Sequence, residues 1–217
     1  MSPRNTVLIT GCSTGIGNAL ARKFHKQGLV VHVKNAEQII RIRDQVAEIT
    51  GGKLDILVNN AGQSFLSAAA DLDMKRVQDL YNVNVFGAIV SGAALHAYGN
   101  TLRIELSPFK CLYTGSVKSD IIETKLNSLP SSSLYKSIES IVLGKRKEVS
   151  QGGAMSAEDY AKNVVLEALK ANPLAWVWEG SKSWFVWMVD TFLHRTAFDN
   201  MMKRWYDMDH IRSGHQT

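Results

Sequence analysis

The residues best placed to do chemistry lie near the start of the chain, in the run Thr10-Gly11-Cys12-Ser13-Thr14-Gly15-Ile16-Gly17. Small residues at this spacing bare the backbone, so that amide N–H groups can approach a diphosphate lying on the N-terminus of the helix that follows. The same run satisfies G-x-S-x-G, the strand-to-helix elbow that exposes a nucleophilic serine, here Ser13. Both readings need strand, turn and helix in that order, so the run by itself admits both. Gly17 and a later Asn59-Asn60-Ala61-Gly62 favour the nucleotide loop, and no Asp/His pair that would serve the serine is identifiable. The 6 histidines show no metal-ligand spacing, so no metal site is expected.

The elements needed to hold such a loop are legible around it. Thr6-Val-Leu-Ile-Thr10 is a β-branched run that breaks at Gly11, and an amphipathic stretch from Ile16 to Gln27 closes at Gly28. Val30 to Val33 reads as a second strand, and Ala36 to Ile49 places Ile39, Ile42, Val46 and Ile49 at helical spacing. Asp55 to Val58 reads as a third strand, Met74 to Leu106 as mostly helix, and Leu112-Tyr113 as a weak strand before Gly115. Beyond that the sheet signal fades. A capped helix starts near Ser156, with Glu158 and Asp159 in its first turn, and Trp176 to Trp178 reads as a last strand. Alternation at these lengths predicts an α/β fold, with a mostly parallel sheet and helices on both faces.

Four motifs, in order, then carry a family resemblance: Thr10-Gly11 to Gly15-Ile16-Gly17, Asn59-Asn60-Ala61-Gly62, Asn84 within Asn82-Val-Asn-Val-Phe-Gly87, and Thr114-Gly115-Ser116-Val117. The chain resembles the short-chain dehydrogenase/reductase family. The resemblance implies a Rossmann-like doubly wound fold and a nicotinamide cofactor. It puts Gly11, Ser13, Thr14, Gly15, Ile16, Gly17, Asn60, Ala61, Gly62 and Val117 at the cofactor and Asn84 in the catalytic set. It divides a single domain (1–217) into a nucleotide-binding core (1–117) and a lid and C-terminal region (118–217), with Tyr135-Lys136 in the lid. The phrases from Ala93 to Phe109 and Trp178-Glu-Gly180 resemble the branch that reduces the ketone of 1-acyl-dihydroxyacetone phosphate with NADPH in glycerolipid synthesis. Related enzymes of natural-product pathways share these phrases.

The chain departs from the family where proton transfer is needed. Reducing a ketone leaves an alkoxide, and the family protonates it with a Tyr whose Lys neighbour, one helical turn on, lowers the phenol's pKa. Tyr81, Tyr98, Tyr113, Tyr135, Tyr160 and Tyr206 are followed four residues later by Val85, Leu102, Val117, Glu139, Val164 and His210. Matching Ser91 to Tyr98 to the family's phrase puts Ala88 at the tyrosine position and Gly92 at the lysine position. A βαβ-like unit of about 30 residues, including the strand that bears the catalytic serine, is missing before this helix. A second loss between Gly28 and Asn35 removes the residues that separate NADP from NAD, so NADP(H) is the expected cofactor and NAD(H) is also admitted. A third, smaller loss is expected between Lys110 and Tyr113. The rival function is a catalytically silent remnant that binds partners.

Composition bounds the rest. A chain of 217 residues, 45% apolar and 21% charged, can bury one substantial core. The net charge of +5 is scattered apart from Lys145-Arg146-Lys147, so a solvated surface is expected rather than a nucleic-acid patch. Two distant cysteines and a start that runs straight into a strand predict an intracellular setting. Trp184-Phe-Val-Trp-Met-Val189 with Phe192 and Leu193 is too short to span a bilayer and reads as either a core helix or an interfacial one flanked by Lys182 and Arg195. The expected partners are therefore a small-molecule ketone or alcohol, which the branch resemblance makes a lipid, and the cytosolic surface of endoplasmic reticulum or lipid droplets. A homo-oligomer is compatible with the family.

Overall fold

β1 (Thr6–Thr10) is the middle strand of a three-stranded parallel sheet, paired with β2 (Val30–Lys34) on one side and β3 (Ile56–Val58) on the other. The computed structural model describes residues 6–34, 48, 55–64, 71–86, 110–119, 128–129, 131–133, 135–192 and 199–206. Val7, Leu8, Ile9 and Thr10 are all buried, as a parallel strand covered on both faces requires. The chain leaves β1 for one neighbour and later returns to the other, so the crevice at the carboxyl ends of β1 and β3 is a topological switch point.

β1 is followed by α1 (Gly15–Lys26), which buries Gly17, Ala19, Leu20 and Phe24 on one stripe and carries Lys23 and Lys26 in its last turn, where cations offset the helix dipole. After β3 come α2 (Met74–Tyr81), capped by the Asp73 carboxylate on the Lys75 N–H at 2.9 Å, and a π-helical turn (Asn82–Phe86) that continues it. The second half supplies β4 (Cys111–Thr114), α3 (Glu139–Gln151), α4 (Ala157–Ala168), β5 (Trp176–Glu179), α5 (Ser183–Phe192) and α6 (Asp199–Trp205). β4 and β5 form a separate parallel pair, and among the described residues no ladder joins β3 to β4.

What unites the two ladders is the α1–α4 layer. α4 starts with the Ser156 hydroxyl accepting the Asp159 N–H at 3.0 Å, and its stripe of Tyr160, Ala161, Val164 and Val165 packs along α1. These residues share one core with Val7, Ile9, Leu20 and Phe24, and Leu112 of β4 packs against it. Truncating a core residue such as Phe24, fully buried, to alanine costs about 3–5 kcal/mol in such a setting. On the opposite face of β4–β5, Tyr113 stacks on its cross-strand partner Trp178 with ring centroids 4.1 Å apart and tilts against Trp176 at 5.6 Å.

The alternation read from the sequence holds for β1, α1, β2, β3, β4, α4 and β5, with strand ends shifted by a residue. The expected helix from Ala36 to Ile49 lies outside the described residues except for Glu48, which is helical. The sequence from Gly87 to Phe109, with Ala88, Gly92 and Tyr98, lies outside them too. α3 was not foreseen, because its apolar residues Ile141, Val142 and Leu143 are consecutive rather than spaced along one face. Its start is held instead by polar contacts. Glu139 pairs with Lys136 at 2.8 Å and accepts the N–H of Leu129, and these two hydrogen-bonding partners hold its carboxyl below the usual range. Lys136 also donates to the Leu129 carbonyl at 2.9 Å, so both backbone polar groups of Leu129 are tied to the foot of α3.

Candidate functional site

The turn between β1 and α1 is tied to the residues after β3 at several points. The Thr10 hydroxyl accepts the backbone N–H groups of Asn60 and Ala61 at 3.1 and 3.0 Å. The Asn60 side-chain amide donates to the carbonyls of Thr10 and Gly11 at 3.1 and 3.0 Å. Asn18, one turn into α1, donates its side-chain amide to the Cys12 carbonyl at 3.2 Å. Carbonyls at this turn are thus occupied by protein donors, which leaves the amide edge of the turn for an anion.

Packing leaves no room for side chains at two of the glycines. A Cβ on Gly11 would lie 2.7 Å from the Ala61 Cα, and Gly11 has φ +69, which disfavours any other residue. A Cβ on Gly17 would lie 2.3 Å from the Gly11 carbonyl oxygen and 2.4 Å from the Asn60 amide nitrogen. α1 has no side-chain cap from Thr14 and no acidic residue in its first turn, so its positive end is not neutralised from within the helix. Ser13 and Thr14 are exposed on the turn, whereas Cys12 points inward and donates to the Ile9 carbonyl. Burial pushes the Cys12 thiol up to about 11, so it stays protonated and inert at neutral pH.

Two further segments meet this turn. Asn84, in the π-helical turn, accepts the Gln63 N–H at 2.8 Å and donates to the Gln63 carbonyl at 2.7 Å. The side chain assigned by resemblance to the catalytic set thus holds the backbone just beyond Gly62, and π-turns recur at functional sites. Val117 is buried and bridges Met155, and the chain then passes the β1–α1 turn, so that a Cβ on Gly15 would sit 3.4 Å from the Ser119 Cβ. Ser119 is a residue that sequence reasoning missed. Its position two residues beyond Val117 was the available signal, and only the packing over Gly15 singles it out.

Among the described residues no group of three or more His, Cys, Asp and Glu is gathered as a metal centre would require. Tyr113, a candidate to replace the missing acid, is placed on β4 between Trp176 and Trp178. Burial, with the nearby Cys111 and Asp190, pushes its phenol up to about 12, opposite to the lowering that a lysine neighbour gives.

This arrangement of a glycine turn at a switch point, braced by an Asn-Asn-Ala-Gly segment, has clear relatives. The chain is 30% identical to the short-chain dehydrogenase RED1 of Pyricularia oryzae, over 94% of this chain and 95% of that protein. It is a member of the short-chain dehydrogenase family. Residues 29–100 match the family model for short chain dehydrogenases. This dehydrogenase is also 29% identical to the NADPH-dependent 1-acyldihydroxyacetone phosphate reductase of Schizosaccharomyces pombe, over 70% of this chain and 74% of that one. Its fold is shared with a short-chain dehydrogenase from Streptomyces avermitilis, at a TM-score of 0.66 and 15% identity, covering 99% of this chain and all of the other. The alignment with RED1 runs over 272 positions, more than the 217 residues of this dehydrogenase, so dozens of positions have no counterpart here. These relatives are dehydrogenases and a reductase, the class of protein to which the nucleotide-loop reading of the turn belongs.

Proposed function

We propose that this short-chain dehydrogenase binds NADP(H) at the β1–α1 turn and exchanges a hydride with a ketone or alcohol substrate. The observation that carries the reading is the uncapped N-terminus of α1, at a turn whose carbonyls are taken by Asn60 and Asn18 so that its amides are left to a diphosphate. The bound cofactor supplies the hydride. The protein's part is to hold the diphosphate at Gly11 to Gly17, to brace that turn through Asn60 and Asn84, and to present the Gly115–Val117 backbone to the nicotinamide, as the family resemblance implies. The NADPH-dependent Schizosaccharomyces pombe relative supports NADP(H) as the cofactor. NAD(H) is the weaker competitor on this reading.

Because Ala88 and Gly92 stand where the family has its tyrosine and lysine, the alkoxide takes its proton from water and turnover is slow. The substrate we assign is a lipid ketone, 1-acyl-dihydroxyacetone phosphate, on the strength of the Schizosaccharomyces pombe relative. The exposed aromatic face of α5 supports a peripheral position on the cytosolic surface of endoplasmic reticulum or lipid droplets. Trp184 and Phe192 are 66% and 69% exposed there, and among the described residues no helix is long and apolar enough to cross a membrane.

Calorimetric titration of the purified chain with NADPH and NADH tests the core of this reading. Saturable binding weaker than micromolar, tighter for NADPH, is expected, since the diphosphate contacts remain while the second-strand region is shortened. Absence of binding to either overturns it.

A further inference from the structure

The largest fully buried side chain described is Tyr160 of α4, 1% exposed, and its hydroxyl lies 2.6 Å from the hydroxyl of Thr114. A phenylalanine would fill the same core position without the cost of desolvating a hydroxyl, so the polar group there needs a partner, and Thr114 is the one it has. Thr114 ends β4 and is followed at once by the segment that meets the nicotinamide under the proposed function, on which this inference rests. The alternation of the strand puts Thr114 on the same face as Leu112, at the exposed carboxyl end of β4.

The rest of that segment makes backbone hydrogen bonds. Gly115 donates to Glu179, Ser116 exchanges hydrogen bonds with Ser181 at 2.8 and 3.1 Å, and Lys118 donates to Met155 at 2.9 Å. A Cβ on Gly115 would lie 2.5 Å from the Ser181 carbonyl oxygen. The Thr114 to Tyr160 contact is thus a side-chain tether at the entry to the segment, and it connects that entry to the helix packed along α1, whose first turn forms the diphosphate site.

We propose that Tyr160 is a positioning residue for the nicotinamide-facing segment Thr114–Val117, acting through its hydroxyl on Thr114. It is not a proton donor to substrate. Burial pushes its phenol up to about 12, which keeps the hydroxyl neutral and able to bond Thr114 across the working pH range.

The test compares wild type with Tyr160→Phe, Thr114→Val and the double variant. Each is titrated with NADPH and with adenosine 2′,5′-bisphosphate, which lacks the nicotinamide, and amide exchange is measured without ligand. Tyr160→Phe keeps the ring, so the fold is retained. NADPH affinity should fall about three- to tenfold while bisphosphate affinity stays within roughly twofold, because only one hydrogen bond is lost and it serves one half of the cofactor site. Exchange at Gly115 and Ser116 should quicken, and the double variant should resemble either single one. Equal weakening of both ligands, or unchanged exchange from Gly115 to Lys118, overturns the proposal. Should wild type take up no NADPH, the cofactor reading fails separately, and the exchange data alone decide for or against Tyr160.

Discussion

Asn60 reaches across from the end of β3 to donate its side-chain amide to the Gly11 carbonyl, and Gly17 lies directly beneath that bond, with no space for a Cβ between them. The β1–α1 turn and the Asn-Asn-Ala-Gly segment are therefore one structural unit, and disturbing either member disturbs the other.

Gly17→Ala should displace the Asn60 amide and abolish measurable cofactor binding, since the clash is with backbone and with a fixed amide rather than a flexible side-chain end. Asn60→Ala removes two hydrogen bonds to partly buried carbonyls and should cost about 1–3 kcal/mol of stability. Denaturant unfolding monitored alongside NADPH titration checks both. Wild-type affinity in Gly17→Ala would mean that the diphosphate lies elsewhere.

Ketoreductase activity should be very low in this chain and should rise on inserting the family segment that bears serine, tyrosine and lysine. Positioned general acid catalysis contributes about a hundred- to ten-thousand-fold, and loss of the lysine that orients the ribose lowers the rate further. The assay follows NADPH oxidation with 1-acyl-dihydroxyacetone phosphate. Equal turnover with and without the insertion would show that another group protonates the alkoxide.

Flotation with liposomes of mixed zwitterionic and anionic lipid should carry the chain upward, and Trp184→Ser combined with Phe192→Ser should leave it in the bottom fraction. Trp184, Trp187 and Phe192 present aromatic area to solvent beside the exposed Lys182, a pairing that suits a headgroup layer. If the intact chain never floats, α5 has no membrane role.

Stability should fall between about pH 10 and 12. The Tyr160 phenol is raised from its ordinary value of 10.0 to about 12 by burial, so the folded state holds a proton that the unfolded chain releases first. Its contribution is complete below pH 10 and is lost as pH rises toward 12, on the order of 2 kcal/mol. Urea midpoints at pH 8 and pH 11 measure this, and Tyr160→Phe should show the shallower decline. A slope unchanged by the substitution would assign the alkaline loss to other groups, of which Cys12, raised to about 11, is one.

The sequence alone determined what depends on short-range chemistry. A β-branched run broken by glycine, followed by an amphipathic stretch, has few solutions besides strand, turn and helix, so β1, the glycine turn and α1 were legible from Thr6 to Lys26. The Ser156 cap with Glu158 and Asp159 marked α4 for the same reason. The motifs of Thr10, Asn60, Asn84 and Val117 were visible because each is a local pattern of residue types.

Tertiary structure decided what depends on which distant segments touch. Periodicity did not reveal α3, which lacks an apolar stripe and starts at an ion pair clamping Leu129 from ten residues away. Ser119 gained meaning only by lying against Gly15, and Tyr160 only by reaching Thr114, contacts between residues far apart in the chain. The packing of the two described ladders on one α1–α4 layer was decided in the same way. Strand pairing is a long-range choice, and what makes it here is the burial of a common core rather than any residue's intrinsic preference.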